Sequence, residues 1–436
     1  MALAQQWLDL QRTYEGIPAI SYAVVKDQQT ILAGGSGLAD PQKQEAATAD
    51  TRYSICSVSK LFTAVALMQL REEGKVALHD PVAKHLPWFT IPSAPDAGTV
   101  TVANILSHSS GLPRESDYPY WSGDFEFPTR EQVRERIAAQ PMLYPSDTYF
   151  QYSNLGLTLA GEIVAAAGNA PYETIVRTRI LEPLGLTSTT TDITNEQKLA
   201  VGHSAKLRNG TRTTLPRFSA KGIAPAAGFA STATDLAKFA SWQFRTLAGA
   251  DDEVLDARTL RDMQRVHFVD PDFETHWGLG FAVRRHNDKT MVGHGGSCPG
   301  YRTDLTLVPS EKFAVAVLAN ASGVPVGRYS MALYEIVGPA KADSVPSADL
   351  APYLGSYDDF PWGGETLFFS WGGDLAAISL PTMTPTRDLE RYRKTGEHQF
   401  RRILKDDSLG ETVTFEVTEG RATSYRVHSN SSPRMN

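Results

Sequence analysis

Cysteine is scarce: the 436 residues hold two, Cys56 and Cys298. That excludes a disulfide-stapled scaffold and a cysteine-rich zinc site. The two read as small buried residues, and only their separation in space decides whether they pair. No apolar run approaches the roughly eighteen residues that span a bilayer, so no transmembrane segment is expected. Like charges never gather into a block. The nearest approach, Arg130–Arg136, mixes signs and reads as an exposed helix face. With 42 basic against 49 acidic residues the net charge is −7, which disfavours a nucleic acid or an anionic membrane as partner. The opening Met1-Ala-Leu-Ala-Gln-Gln-Trp7 has neither the charged start nor the long apolar run of a signal peptide. The expected compartment is cytoplasmic, or periplasmic or secreted if a leader has been removed. Motifs for a zinc protease (His-Glu-x-x-His), a P-loop or a dinucleotide fold are absent. No metal and no cofactor are expected.

What remains is an ordinary globular composition, 42% hydrophobic and 21% charged, in a chain too long for one core. Helical and strand-like segments alternate as far as residue 338. The segment Gly338-Pro-Ala-Lys-Ala-Asp-Ser-Val-Pro-Ser347 has the composition of a linker. Beyond it, short alternating stretches separated by Gly, Asp and Lys turns predict a small all-β module, plausibly barrel-like. The expected division is 1–338, a linker at 339–348, and 349–436. Gly34-Gly35-Ser36-Gly37 is expected to leave the first hairpin of the front domain.

One stretch carries a chemical reason of its own. Ser57-Val-Ser-Lys60 stands at the mouth of an apolar helix running to about Gly74. Residues three apart share a helix face, which puts Ser57 beside Lys60. A serine hydroxyl needs an adjacent base, and a desolvated lysine can lose its proton near neutrality. The unpaired N–H groups of a first helical turn suit a developing oxyanion. Taken alone, the same tetrapeptide reads as an N-cap serine before a solvated lysine, and that blander reading is the better one.

Two further constellations shift the balance. In Tyr152-Ser153-Asn154, cations close to the tyrosine would lower its pKa and let it relay protons. The Asn154 amide is able to meet both Lys60 and a substrate carbonyl. In His294-Gly295-Gly296-Ser297 the glycines let a ligand approach backbone. The Ser297 N–H, opposite that of Ser57, would complete an oxyanion hole. Each segment alone reads as a turn. The aromatic loop 114–128 is long for a compact domain, and its Tyr118, Tyr120 and Trp121 read equally as the wall of a cleft or as ordinary surface packing.

Ser-x-x-Lys, Tyr-x-Asn and His-x-Gly in this order resemble the penicillin-recognising serine hydrolases: class C β-lactamases, DD-peptidases, D-aminopeptidases and β-lactamase-like esterases. Leu106–Leu112, Pro183–Leu186, Ala227–Leu236 and Trp277–Gly280 extend the resemblance over roughly residues 5–338. It implies an α/β (α+β) β-lactamase/transpeptidase-like sandwich, an antiparallel sheet flanked by helices plus a helical lobe. It implies Ser57 as the acylated nucleophile, Lys60 as its proton acceptor or electrostatic partner, and Tyr152 as general base and acid. Asn154, His294, Gly295, Gly296, Ser297 and Trp121 would contact substrate. The activity implied is a serine hydrolase acting through an acyl-enzyme on amides or esters, a peptidase on small or D-amino-acid peptides or a carboxylesterase. The alternatives are a β-lactamase proper and a penicillin-binding receptor that does not turn over.

One departure matters. Class C β-lactamases carry lysine where this chain has His294, and a histidine is charged only in part near pH 7. The tail from Leu350 resembles a lipocalin-like domain, short at under ninety residues for a full eight-stranded barrel. Its role there would be to restrict the cleft or to support a homo-oligomer.

Overall fold

Strand Ala19–Lys26 is buried along nearly its whole length, which only a sheet covered on both faces can accommodate. In the computed structural model this strand lies inside a nine-stranded sheet. The structure describes residues 1–91, 98–118, 120–194, 198–249, 253–338 and 349–435. The linker expected at 339–348 falls outside them. The chain divides into two compact units, residues 17–330 and residues 1–16 with 331–436.

In the larger unit the sheet runs, edge to edge, through 45–46, 29–40, 19–26, 313–319, 301–308, 289–298, 282–286, 276–277 and 268–269. Every pairing between these strands is antiparallel. Helix Ala233–Leu247 packs on the strands 19–26 and 313–319. Its N-cap is Thr232, whose hydroxyl accepts from the Asp235 N–H. Helices Ser59–Glu72, Asn154–Gly168 and Tyr172–Val176 pack against one another in a helical lobe. The rings of Phe62, Phe229 and Phe239 meet there, with centroids 4.4–5.2 Å apart. This is the antiparallel sheet with helices and helical lobe that the motif order implied.

Two local expectations are corrected. Gly34–Gly37 do not leave the sheet, because strand Gln29–Asp40 continues through them. Glycines stand at 34 and 35 because neighbours crowd the strand. A Cβ on Gly34 would lie 2.7 Å from the Tyr22 hydroxyl, and one on Gly35 2.4 Å from the Ala47 carbonyl.

The second correction concerns the tail. Eight antiparallel strands between Gly355 and Pro433 follow in sequence order, and Tyr357 on the first bridges to Arg434 beyond the last. Short strands of 4 to 10 residues fit a closed barrel into fewer than ninety positions. Aromatic rings fill it: Phe415 stands 4.8 Å from Tyr353 and 5.1 Å from Phe368. Helix Ala2–Tyr14 belongs to this unit. The indole N–H of buried Trp7 donates to the Thr382 carbonyl at 2.9 Å, and the Thr382 N–H donates to Gln11 at 3.1 Å.

Candidate active site

Ser57 sits in a single turn, Cys56–Val58, that feeds helix Ser59–Glu72. The turn is tight: Cys56 has φ +49°, a left-handed conformation rare for a side chain with a β-carbon. Two anchors hold it. The Ser59 hydroxyl donates to the Cys56 carbonyl at 2.5 Å and accepts the Phe229 N–H at 3.0 Å. Thr303, from the central sheet, donates to the Ile55 carbonyl at 2.9 Å.

Lys60 is fully buried. Its ammonium group reaches the Ser57 hydroxyl at 3.1 Å, Asn154 Oδ1 at 2.7 Å and the Ala226 carbonyl at 2.7 Å. Burial holds its pKa well below the usual lysine range; Glu115 opposes that shift and Arg114 adds to it. Burial thus favours the neutral amine, the form with a free lone pair.

Tyr152 is brought in by the start of helix Asn154–Gly168, whose N-cap Ser153 accepts the Gly156 N–H at 2.9 Å. Its phenol hydrogen-bonds Ser57. The Lys60 ammonium and the Arg114 guanidinium each lie 4.9 Å from its ring centre. Those cations were expected to lower the phenol pKa. Burial outweighs them and pushes it up, so Tyr152 stays a neutral phenol. His108 stacks on it at 4.4 Å. The Ser153 N–H donates to His108 Nδ1 at 3.1 Å.

The third segment lies on strand Lys289–Cys298. Gly296 packs against the residues that lead into the Ser57 turn: a Cβ there would lie 2.3 Å from the Ile55 carbonyl and 2.1 Å from the Thr303 hydroxyl. Gly295 leaves room for such an atom, which would meet the Asp304 carboxylate and the Thr303 carbonyl at 3.9 Å. His294 departs from expectation. It is 3% exposed, its Nδ1 pairs with the Gly295 carbonyl at 2.6 Å, and burial lowers its pKa to about 3. It is neutral near pH 7 rather than partly charged, and it is not among the residues that line the cavity.

That cavity, about 570 Å³, gathers Ser57, Asn154, Ser297 and Trp121 together with Phe125, Arg114 and Glu115. Of the three loop aromatics expected to wall a cleft, Trp121 lines it. Tyr120 turns inward to hydrogen-bond Glu115, and Tyr118 turns to the Gln132 carbonyl. Arg114 and Glu115 were not singled out from sequence. A signal existed: two adjacent charges right after Gly111-Leu112-Pro113, at the head of an aromatic loop. The cysteines are also more than small buried residues, since Cys56 and Cys298 form a disulfide with Cα atoms 5.7 Å apart. Among the described residues no group of three or more His, Cys, Asp or Glu could hold a metal ion. No helix there is long and apolar enough to cross a membrane.

Comparison with known proteins agrees with this architecture. The chain is 26% identical over 358 residues to Beta-lactamase-like protein 2 of Dictyostelium discoideum, covering 78% of this chain and 65% of that one. The octameric penicillin-binding protein homologue from Pyrococcus abyssi superposes with a TM-score of 0.69 at 23% identity, over 99% of both chains. The D-amino acid amidase from Ochrobactrum anthropi SV3, complexed with L-phenylalanine, gives 0.62 at 26% identity, over 74% of this chain and 91% of the amidase. The model of the Beta-lactamase family matches residues 5–336, and the chain belongs to that family.

Proposed function

We propose that this protein is a serine hydrolase that acts through an acyl-enzyme on an amide or ester bond, with small or D-amino-acid peptides and amides, or small carboxylic esters, as substrates. The observation that carries the reading is the 3.1 Å contact between the Lys60 amine and the Ser57 hydroxyl at the wall of a cavity of about 570 Å³. Likeness to the D-amino acid amidase supports the amide side of the proposal.

In the proposed mechanism Ser57 Oγ attacks the substrate carbonyl carbon, and its proton passes to the neutral Lys60 amine. The carbonyl oxygen becomes an oxyanion held by the N–H groups of Ser57 and Ser297, whose residues line one cavity. The tetrahedral adduct collapses and expels the amine or alcohol, which takes a proton from Lys60 relayed through the Tyr152 hydroxyl. A neutral phenol suits this task, because it accepts one proton as it passes on another. Water then attacks the ester on Ser57 with the same groups in reverse order. The product acid leaves and Ser57 regains its proton. Asn154 orients both Lys60 and the substrate, and Trp121 supplies an apolar wall. A neutral His294 offers no cation to a substrate carboxylate, which argues against a β-lactamase proper.

The test is mass spectrometry after exposure to a fluorophosphonate, with turnover of a chromogenic ester measured alongside. An adduct on Ser57, lost in Ser57→Ala, together with steady turnover supports the proposal. A burst without turnover would make the protein a receptor. An adduct elsewhere would overturn the nucleophile assignment.

A further inference from the structure

Glu115 stands in the wall of the catalytic cavity, and its partners account for both of its oxygens. Oε1 accepts the Asn154 amide N–H at 2.6 Å and lies 3.3 Å from Arg114 Nε. Oε2 accepts the hydroxyl of buried Tyr120. The segment itself is pinned, since Gln140 Nε2 donates to the Glu115 carbonyl at 2.9 Å and the Asn154 N–H donates to the Arg114 carbonyl at 2.8 Å.

We propose that Glu115 is a positioning residue for Lys60, acting through Asn154 to hold the amine against Ser57. The proposal rests on the serine-hydrolase reading above. The argument is one of orientation. A carboxamide has a donor end and an acceptor end. A carboxylate accepts only, so it fixes which end of Asn154 faces it. With the NH₂ turned to Glu115, Oδ1 is turned to Lys60, where it accepts at 2.7 Å. The amine is then held between Oδ1, the Ala226 carbonyl and the Ser57 hydroxyl. Without the carboxylate, the amide is free to rotate and present its NH₂ to Lys60, which pushes the amine off the nucleophile.

The same carboxylate acts on charge. The ionisable groups facing Lys60 are Glu115, Arg114, the Tyr152 phenol, His108 and His294. Both histidines are held neutral by burial, so Glu115 is the anion of the set and Arg114 the fixed cation. Removing the anion leaves Arg114 unopposed and lowers the Lys60 pKa further, which makes the amine a weaker base. Because both Glu115 oxygens are engaged, the side chain is not a vacant anchor for a substrate ammonium.

The experiment compares full-length wild type with Glu115→Gln and Glu115→Asp. The readout is the rate of Ser57 modification by a neutral fluorophosphonate between about pH 5 and pH 9, with thermal melts in parallel. The expected result for Glu115→Gln is a plateau rate roughly tenfold to a hundredfold lower, an acid limb moved to lower pH, and partial rescue in Glu115→Asp. An unchanged rate and limb overturns the proposal. So does a lower rate with the limb fixed and a lower melting temperature, which would mark a merely structural role. A loss confined to the KM of an α-amino-acid p-nitroanilide overturns it too, by making Glu115 a substrate anchor. Should Glu115→Gln not fold, Tyr120→Phe removes one donor that fixes the carboxylate and must lower the plateau rate to a smaller extent without moving the limb to lower pH, an unchanged rate overturning the proposal. A wild type that forms no Ser57 adduct removes the hydrolase reading itself. A labelled wild type with indifferent variants removes only the role of Glu115.

Discussion

Cys56 and Cys298, 242 positions apart in the chain, are joined by a disulfide. Cys56 precedes Ser57 and Cys298 follows Ser297, so one covalent link holds the nucleophile's turn to the strand across the cavity. A cross-link closing so long a loop limits the unfolded chain by about 5 kcal/mol in the entropy model. Complete reduction by a phosphine, checked by mass, is therefore expected to lower Tm by at least about 5 °C and to slow Ser57 labelling. A fully reduced protein with the melt and labelling rate of the oxidised one would show that the link is dispensable.

Lys60 gives a prediction with a defined sign. Burial lowers its folded pKa well below the 10.5 of the free side chain. Between those two values the unfolded chain binds the proton and the folded chain does not, so stability rises with pH across that window. Lys60→Met has no such group. The stability of wild type relative to Lys60→Met is expected to increase as pH rises from about 7 toward 10, read from urea melts at each pH. The variant also loses Ser57 modification by roughly a thousandfold. A pH-independent difference would mean that Lys60 keeps an ordinary pKa.

Much of this was legible in the sequence, and the illegible part has a physical pattern. Ser57 and Lys60 were legible because their relation is local: two residues three apart at the mouth of a helix lie side by side. Tyr152 and Ser297 became legible only as members of an ordered set of motifs, since nothing in their own surroundings distinguishes them from a turn. Charge states were not legible. The ordered motifs placed a lysine near Tyr152, but the direction of its pKa depends on how much water the fold removes, which no spacing encodes. His294 failed for the same reason. Glu115 was hidden because its work goes through Asn154, and its neighbours in sequence read as a loop. The barrel was underestimated because strand number was judged from length rather than from the turns.

Adjacent glycines on the Lys289–Cys298 strand are predicted to behave differently. In Gly296→Ala the new methyl must displace the Ile55 carbonyl or the Thr303 hydroxyl, both of which hold the turn before Ser57. Overpacking of that kind costs about 1–3 kcal/mol, and the rate of Ser57 modification should fall with it. In Gly295→Ala the methyl points to the opposite face of the strand and meets nothing nearer than 3.9 Å, so Tm should hold within about 1 °C and KM should be unchanged. Equal melting temperatures for the two variants would contradict the close approach of the strand to the nucleophile's turn.

The motif order led us to expect a partly charged His294, yet burial puts its pKa at about 3, against an ordinary 6.5. The unfolded chain therefore takes up this proton first on acidification. The contribution of His294 to stability is complete above about pH 6.5 and is lost as pH falls from there toward 3. Relative to His294→Gln, wild type should lose stability steadily over that range in urea melts, whereas a difference that stays level would place the imidazole in water. The same neutrality sets a limit on substrate choice. No titration of His294 should appear in KM between about pH 5 and 8, even for a carboxylate-bearing substrate such as a penicillin. His294→Lys, which places an ammonium in a site this dry, should destabilise the fold by several kcal/mol. A stable His294→Lys variant that binds penicillin no better than wild type would show that the cavity takes no anchor from this strand.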